Sequence, residues 1–593
     1  MEITRTFDLL DRYQQYFMKE DALVAKQDGK WKKYSTAQYI DYAYNIGYGL
    51  LAMGFKKGDK IATISNNRPE WNFIDLGMAL IGVVHVPLYT SLSADEYENI
   101  LKHSDSRFVF ISDKKLLKTL KPVTEKIASV ESIYSFDLIE NEKHWSEIVA
   151  LGKKSEVYYK DELEEIKTNI KPDDFASLIY TSGTTGTSKG VMLSHRNMVE
   201  NFLAAADVFA MKTEQKYLSI LPLCHVGGRM GNYQTQHSGC SIYYAESMAT
   251  IAADMREIKP HGFDAVPRIL EKIFDTIISK GKKLEGAKKA IFFWAVKIGL
   301  KYKPPGESSW LYKMKLKLAD KLIFSKWREA IGGNIESVGC GGAALQARIE
   351  RVFWAAGIKV LNMYGLTETS PIITINRKEK PNLRLGSVGS IIDGVELKLA
   401  NDGEILCKGH NVMLGYYKDP ELTKKVFTDD GWFCTGDIGR IEDDKFLFVT
   451  DRKKEIFKLS SGKFIVPQVI ENKFKESLFI EQIMVIGEHE KFASAIIAPD
   501  YLYLRDWCRA NNITIDSNSE LIRNKQLIDI FNKEIQKFNK NVADFEKINR
   551  FRLIPDVWSP GTGELSPTLK LKRRIITQKY QELIDQIYIK QAV

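Results

Sequence analysis

Cysteine is scarce and scattered in this chain. The six thiols, Cys224, Cys240, Cys340, Cys407, Cys434 and Cys508, include no C-x-x-C pair, so neither a disulfide framework nor a zinc site of paired-cysteine spacing is expected, and the usage fits a reducing cytoplasm. Long apolar runs are missing as well. The longest candidate, Leu76–Tyr89, is broken by Gly77, Gly82 and Pro87, short of the roughly 20 residues that a membrane-spanning helix needs. Met1–Glu20 carries Asp8, Asp11 and Arg12 where a signal peptide needs an uninterrupted apolar stretch, so no secretory signal is expected. The chain has no internal repeat and no low-complexity tract. An excess of one charge sign is nearly absent too: 85 Lys and Arg face 76 Asp and Glu, a net +9 over 593 residues. Spread over such a length, that balance reads as ordinary solubility, and no nucleic-acid partner is expected.

What is present belongs to a large globular protein. With 44% hydrophobic and 27% charged residues the composition is far from disordered, and the length requires at least two domains. Lys60–Ser65, Val83–Pro87, Arg107–Ser112 and Phe175–Tyr180 are rich in β-branched and aromatic residues and read as buried strands. Amphipathic stretches of helical length, Ala37–Met53 and Glu70–Ile81, lie between them. The alternation predicts a layered α/β architecture with largely parallel sheets. Lys282–Lys303 reads as one helix whose aromatic cluster packs inward, followed by Pro304–Pro305–Gly306 and a second, basic helical run through Lys326. Beyond the strand-like Lys445–Thr450 a break at Asp451–Lys454 opens a shorter pattern: a helix near Pro467–Glu476, strands near Gln482–Ile486 and Ala493–Pro499, then helices.

The densest signal is Phe175–Tyr180 running into Thr181-Ser182-Gly183-Thr184-Thr185-Gly186-Thr187-Ser188-Lys189-Gly190. Glycines let backbone N–H groups approach phosphate oxygens, hydroxyls add donors, and Lys189 adds charge, so the loop is suited to polyphosphate. A Walker loop is excluded by spacing, because Ser188 stands where the second glycine belongs and Lys189 is followed by Gly190. A flexible Gly/Ser/Thr linker is disfavoured by the apolar strand that feeds it.

YTSGTTGTSKG resembles the signature loop of the adenylate-forming superfamily: acyl-CoA synthetases, adenylation domains and luciferases. Five further segments follow in the family's order: Leu221–Arg229 (LPLCHVGGR), Asn362–Thr369 (NMYGLTET), Thr435–Arg440 (TGDIGR), Asp451–Lys454 (DRKK) and Ser566–Arg574 (SPTLKLKRR). The resemblance implies a large N-terminal domain of layered α/β sheets over 1–450, a hinge at 451–454, and a small mobile α+β domain over 455–593 carrying the catalytic lysine.

It also implies roles. Thr181, Ser182, Gly183, Thr184, Thr185, Gly186 and Lys189 would hold the β- and γ-phosphates of ATP, with Glu368 and Thr181 on Mg²⁺ and Thr367 near the α-phosphate. Tyr364 and Gly365 would lie on one face of adenine and Gly341, Gly342 and Ala343 on the other. Asp437 would accept hydrogen bonds from the ribose hydroxyls, with Arg452 as a second contact. Lys570, third after Pro567, matches the lysine that bridges the acyl carboxylate and α-phosphate, although Lys572, Arg573 and Arg574 stand close by. Lys454 aligns with the pivot. His225 stays open between a structural histidine and one beside the acyl pocket.

One departure stands out. The long-chain branch has a glutamate before the arginine of the LPLCH segment, and this chain has Gly228 before Arg229. Gly262–Phe274 and Ala319–Gly333 nevertheless resemble that branch. The expectation is a long-chain fatty acid:CoA ligase using ATP, Mg²⁺ and CoA. A fatty acyl-AMP ligase that loads a carrier protein and a non-catalytic lipid-binding protein are the alternatives. Peripheral contact with the inner face of the membrane is a hypothesis, and the residues do not choose between monomer and homodimer.

Overall fold

The computed structural model describes residues 2–182, 188–247, 249–304, 306–513, 517–566 and 569–588. The chain divides into two compact units, one of 1–397, 407–434 and 443–446, the other of 398–406, 435–442 and 447–593.

Two sheets organise the first unit. Among the described residues the larger has nine strands, and its inner six are parallel: Lys359–Gly365, Ser337–Cys340, Gly262–Ala265, Lys216–Ser219, Ser241–Tyr244 and Leu23–Gln27. The antiparallel strands Ile372–Ile375 and Lys30–Tyr34 flank them. The second sheet runs Gly415–Tyr416, Ser188–Ser194, Phe175–Ser182, Val84–Leu88, Lys60–Ile64, Phe108–Ile111 and Ser132–Ser135. Its last five strands are parallel, as the predicted alternation of strands and helices requires. Leu76–Tyr89, the longest apolar run, is divided between a wholly buried helix, Pro69–Leu80, and a wholly buried strand, Val84–Leu88. Its hydrophobicity serves the core.

Local chemistry sets the helix starts. Ser35 Oγ accepts from the Gln38 N–H while the Gln38 side chain accepts from the Ser35 N–H, a reciprocal cap on Thr36–Ala52. Pro69 sits at the first turn of its helix, where a missing N–H costs nothing. The expected helix over Lys282–Lys303 is observed over Gly286–Leu300, while Lys282 is the last residue of the preceding helix, Pro267–Lys282. Gly286, at φ +53°, turns the chain between them. The aromatic cluster packs inward as expected, with buried Phe292 against Trp327 at a ring distance of 5.9 Å.

The second unit holds a three-stranded sheet, Ile480–Ile486, Ser494–Pro499 and Arg550–Leu553, the first pair antiparallel and the second parallel. One face buries Ile483, Val485, Ala495 and Ile497 with Phe531 and Ile535 of the helix Lys525–Asn539. The other buries Met484, Ile496 and Ala498 with Trp558, Leu565 and Ile576. The strict alternation along each strand is that of a sheet covered on both sides.

Candidate active site

In an open parallel sheet the carboxyl ends of the strands converge on one edge, where ligands bind. Four segments singled out in the sequence follow those ends in the larger sheet of the first unit. His225 follows Lys216–Ser219, Val266 follows Gly262–Ala265, Gly341–Ala343 follow Ser337–Cys340, and Thr367–Thr369 follow Lys359–Gly365. Gly341 is pressed against the last of these strands: a Cβ there would stand 2.8 Å from Met363 Cγ. Gly342 has φ +86°. Tyr364, half-buried, pairs with Thr374 across the antiparallel step. At Gly365 a Cβ would lie 1.7 Å from the Pro371 carbonyl oxygen, so no other residue fits. The turn that follows is locked by Thr369, whose Oγ1 accepts from the Leu366 N–H at 2.9 Å and donates to the Pro371 oxygen at 2.6 Å.

The phosphate loop is a hairpin in the second sheet. Thr181 pairs with Lys189 and Ser182 with Ser188; Gly183, Thr184, Thr185 and Gly186 lie outside the described residues. The Lys189 ammonium stands 5.3 Å from the centre of the Tyr416 ring, and the Tyr416 hydroxyl donates to Glu368 Oε1 at 2.9 Å. Tyr416 is positioned by its own strand, which pairs with Val191 two residues beyond Lys189. Burial first, and the Glu368 carboxylate second, raise its hydroxyl above the ordinary range, so it stays a donor. Lys189 and Glu368, 179 positions apart in the sequence, are thereby joined through one tyrosine that the motifs did not point to.

His225 caps the helix Val226–His237, its Nδ1 accepting from the Gly227 N–H at 3.0 Å. The backbone also accounts for Gly228: a Cβ there would stand 2.4 Å from the Pro222 oxygen, which leaves a glutamate no room. The carboxylate partner of Arg229 comes instead from Asp75, 2.5 Å away. Asp75 also accepts from Tyr233 at 2.5 Å and meets His85 Nδ1 at 2.7 Å, while Arg229 Nη1 donates to Ser177 Oγ at 2.5 Å. All five side chains are buried. Burial alone would push the Asp75 carboxyl up, but Arg229, His85 and Tyr233 outweigh it and hold it below the usual range, whereas burial lowers His85.

The second unit brings its own predicted residues together. Asp437, buried on the strand Phe433–Glu442, lies 3.5 Å from Arg452 at the end of Phe446–Arg452. Gly436, at φ +73°, donates its N–H to Glu404 Oε1. Lys453 pairs with Asp402 at 2.6 Å and Glu404 at 2.7 Å, and Lys454 follows in an exposed turn. Around Lys570 the chain doubles back: the Ser566 N–H donates to the Lys570 oxygen at 2.8 Å, and the Lys570 N–H to Ser566 Oγ at 3.0 Å. Arg573 is tied to Glu455 at 2.9 Å and Glu471 at 2.7 Å, which gives it a structural task and separates it from Lys570.

These arrangements have counterparts among known proteins. Residues 10–417 match the family described as AMP-binding enzyme, and residues 454–592 match the AMP-binding enzyme C-terminal domain. The chain belongs to the AMP-binding enzyme family. Within it, the long-chain-fatty-acid–CoA ligase FadD15 of Mycobacterium bovis is 29% identical, aligning over 95% of this chain and 94% of its own. Long chain acyl-CoA synthetase 4 of Arabidopsis thaliana is 30% identical over 95% of this chain and 88% of its own. Among solved structures, the adenylation domain of a carboxylate reductase from Mycobacterium chelonae matches with a TM-score of 0.76 at 20% identity, covering 98% of this chain and 91% of that one. That likeness establishes the AMP-binding fold, a large α/β N-terminal domain with a smaller C-terminal one.

Two more titratable groups stand near the strand ends of this AMP-binding enzyme without a motif to mark them. Burial pushes Asp264 up to about 6, although Tyr217 donates to it at 2.8 Å. Its oxygens fill the space where Cβ atoms at Gly231 and Gly339 would stand, 2.1 and 2.2 Å away. Glu350, also buried, is pushed up to about 8. Asp264 meets Tyr217 and Glu350 meets the Gly386 N–H, partners from distant segments, and that is why sequence spacing could not find them.

Proposed function

We infer that the protein is a long-chain fatty acid:CoA ligase, converting ATP, a fatty acid and CoA into acyl-CoA, AMP and diphosphate through an acyl-adenylate. The observation that carries the residue assignments is the Lys189–Tyr416–Glu368 link, which sets a cation and a carboxylate beside the glycine-threonine loop.

A carboxylate must attack the α-phosphorus of ATP, and two anionic groups then approach each other. Lys189 and the loop hydroxyls Thr181, Ser182, Thr184 and Thr185 hold the β- and γ-phosphates, drawing charge away as diphosphate departs. Among the described residues no group of three or more His, Cys, Asp or Glu side chains gathers into a metal cage. A single carboxylate beside a phosphate loop fits Mg²⁺, which takes most of its ligands from phosphate and water; Glu368 and Thr181 would hold it, and when bound it neutralises phosphate charge. Thr367 hydrogen-bonds the α-phosphate, Tyr364, Gly365 and Gly341–Ala343 enclose adenine, and Asp437 with Arg452 holds the ribose. Lys570 bridges the acyl carboxylate and the α-phosphate. In the second step the CoA thiol adds to the acyl carbonyl, the C–O bond to phosphate breaks, and AMP leaves. His225, at a helix start beside the LPLC turn, lines the acyl end of this path. Peripheral contact with the cytoplasmic face of the membrane belongs to the same reading, since such acids partition into bilayers.

An acid panel supplied with ATP and CoA tests the reading. Acyl-CoA should accumulate with long saturated acids. ATP–diphosphate exchange without acyl-CoA would assign the protein to acyl transfer onto another acceptor, and no exchange with any acid would overturn catalysis altogether.

A further inference from the structure

The positive charge is not spread along the chain after all. From Lys280 to Ala330 there are fourteen Lys and Arg against four Asp and Glu, so this stretch holds an excess of ten and the rest of the chain is near neutral at 71 against 72. Within it lies the helix Trp310–Ala319, continued by a wider turn over Asp320–Phe324. Ser309 caps its start, accepting from the Tyr312 N–H at 3.3 Å.

One side of this helix is anchored. The Tyr312 hydroxyl donates to the Ile298 oxygen at 2.9 Å, Ala319 is buried, and buried Phe324 packs on Trp327 at 5.2 Å. The other side is bare and apolar: Trp310, Leu311, Met314, Leu318 and Leu322 are 70%, 63%, 52%, 50% and 36% exposed. Single exposed leucines need no explanation, but five large apolar side chains on successive turns of one helix form a patch. At about 100° per residue, Lys313 and Lys317 fall along one flank of that stripe and Lys315 along the other. All three are exposed, as are Lys321 and Lys326.

Lysine discriminates between occupants. Protein–protein interface cores are depleted in Lys. A lipid headgroup layer suits it, because the apolar stem lies along the acyl boundary while the ammonium reaches phosphate. We propose that the helix Trp310–Ala319 and the turn Asp320–Phe324 form a docking face that lays its apolar stripe into an anionic lipid surface, with the flanking lysines on the headgroups.

The docking face deepens the membrane contact in the ligase reading, and because flotation measures binding without turnover, its failure would leave the ligase activity standing. The full chain is floated at low salt with phosphatidylcholine vesicles, with and without phosphatidylglycerol. Binding should require phosphatidylglycerol and weaken as salt is raised. The variant Trp310→Ser/Leu311→Ser/Leu318→Ser should lower the bound fraction by about tenfold or more. The variant Lys313→Glu/Lys317→Glu should do the same with the stripe intact. Melting curves matching the parent, and unchanged acyl-CoA formation from detergent-dispersed acid, show that both variants remain folded. No binding by the parent, equal binding to neutral vesicles, or full binding by either folded variant overturns the proposal. So does a dimer that the serine variant dissolves while lipid binding persists.

Discussion

Glu350 illustrates how a single buried group can govern behaviour far from any motif. Its Oε2 accepts from the Gly386 N–H at 2.6 Å, Oε1 has no partner among the described residues, and burial pushes its carboxyl from 4.5 to about 8. The native state therefore retains, between those two values, a proton that the unfolded chain has released. Stability contributed by this group is complete below the lower value and is lost as pH rises through the window. Glu350→Gln keeps an acceptor for Gly386 and removes the titration, so its melting temperature should match the parent near pH 5 and exceed it increasingly toward pH 8; a gap that stays constant with pH would refute the protonated carboxyl. Lys570 is the opposite case, a residue legible only through its motif. Its bridging role predicts that Lys570→Ala slows ATP–diphosphate exchange by about two to three powers of ten while sparing thioester formation from a pre-made acyl-adenylate. Equal loss of both steps would reassign the role. Tyr416 and Asp75 were invisible in the sequence for a shared reason. Each acts on a partner supplied by a distant segment, Glu368 and Arg229 respectively, and no spacing rule links positions so far apart.

At the scale of elements, three helices of the first unit are held by glycines that let their backbones touch. On Ser146–Asn169, a Cβ at Gly152 would stand 1.8 Å from the Asn45 oxygen of Thr36–Ala52; at Gly49 it would stand 2.3 Å from the Ile148 oxygen, and at Gly77 2.7 Å from the Ala43 oxygen. The contact at Gly152 is with backbone, which cannot rotate aside. Gly152→Val should therefore overpack the crossing and cost about 1–3 kcal/mol or more, read as a lower midpoint in denaturant, whereas an unchanged midpoint would mean that the helices part freely. The strands Lys60–Ile64, Val84–Leu88 and Phe108–Ile111 were legible to within a residue or two because buried parallel strands are continuous β-branched and aromatic runs. Lys282–Lys303 was legible as a helix but not at its N-terminal boundary, because Lys282 closes the preceding helix and the next begins only at Gly286. Glycines that serve contact rather than turning leave no local signature at all.

At the scale of the whole molecule, the family matches stop at 417 and resume at 454, and the motif-derived hinge lies at the start of the second match. Thr181, Lys189, Tyr364 and Glu368 belong to the first compact unit; Asp437, Arg452, Lys454 and Lys570 belong to the second. A two-step ligase must release diphosphate and then admit a thiol, so the site has two tasks to serve in turn, and hinges meet such demands at a few element-terminal residues that absorb a large φ/ψ change. Lys454 has the properties required: it follows directly on a strand that ends at Arg452, its side chain is exposed, and its neighbour Lys453 is fixed by Asp402 and Glu404. Proline restricts φ to about −65°. If Lys454 is the pivot, Lys454→Pro should leave ATP–diphosphate exchange within about threefold of the parent and slow conversion of pre-made acyl-adenylate to acyl-CoA by tenfold or more, roughly 1.4 kcal/mol of barrier. Lys454→Ala, which removes the charge and leaves the backbone free, should spare both steps. A proline variant that loses both steps equally would mean that the turn serves folding, and one that loses neither would move the pivot elsewhere in 451–454.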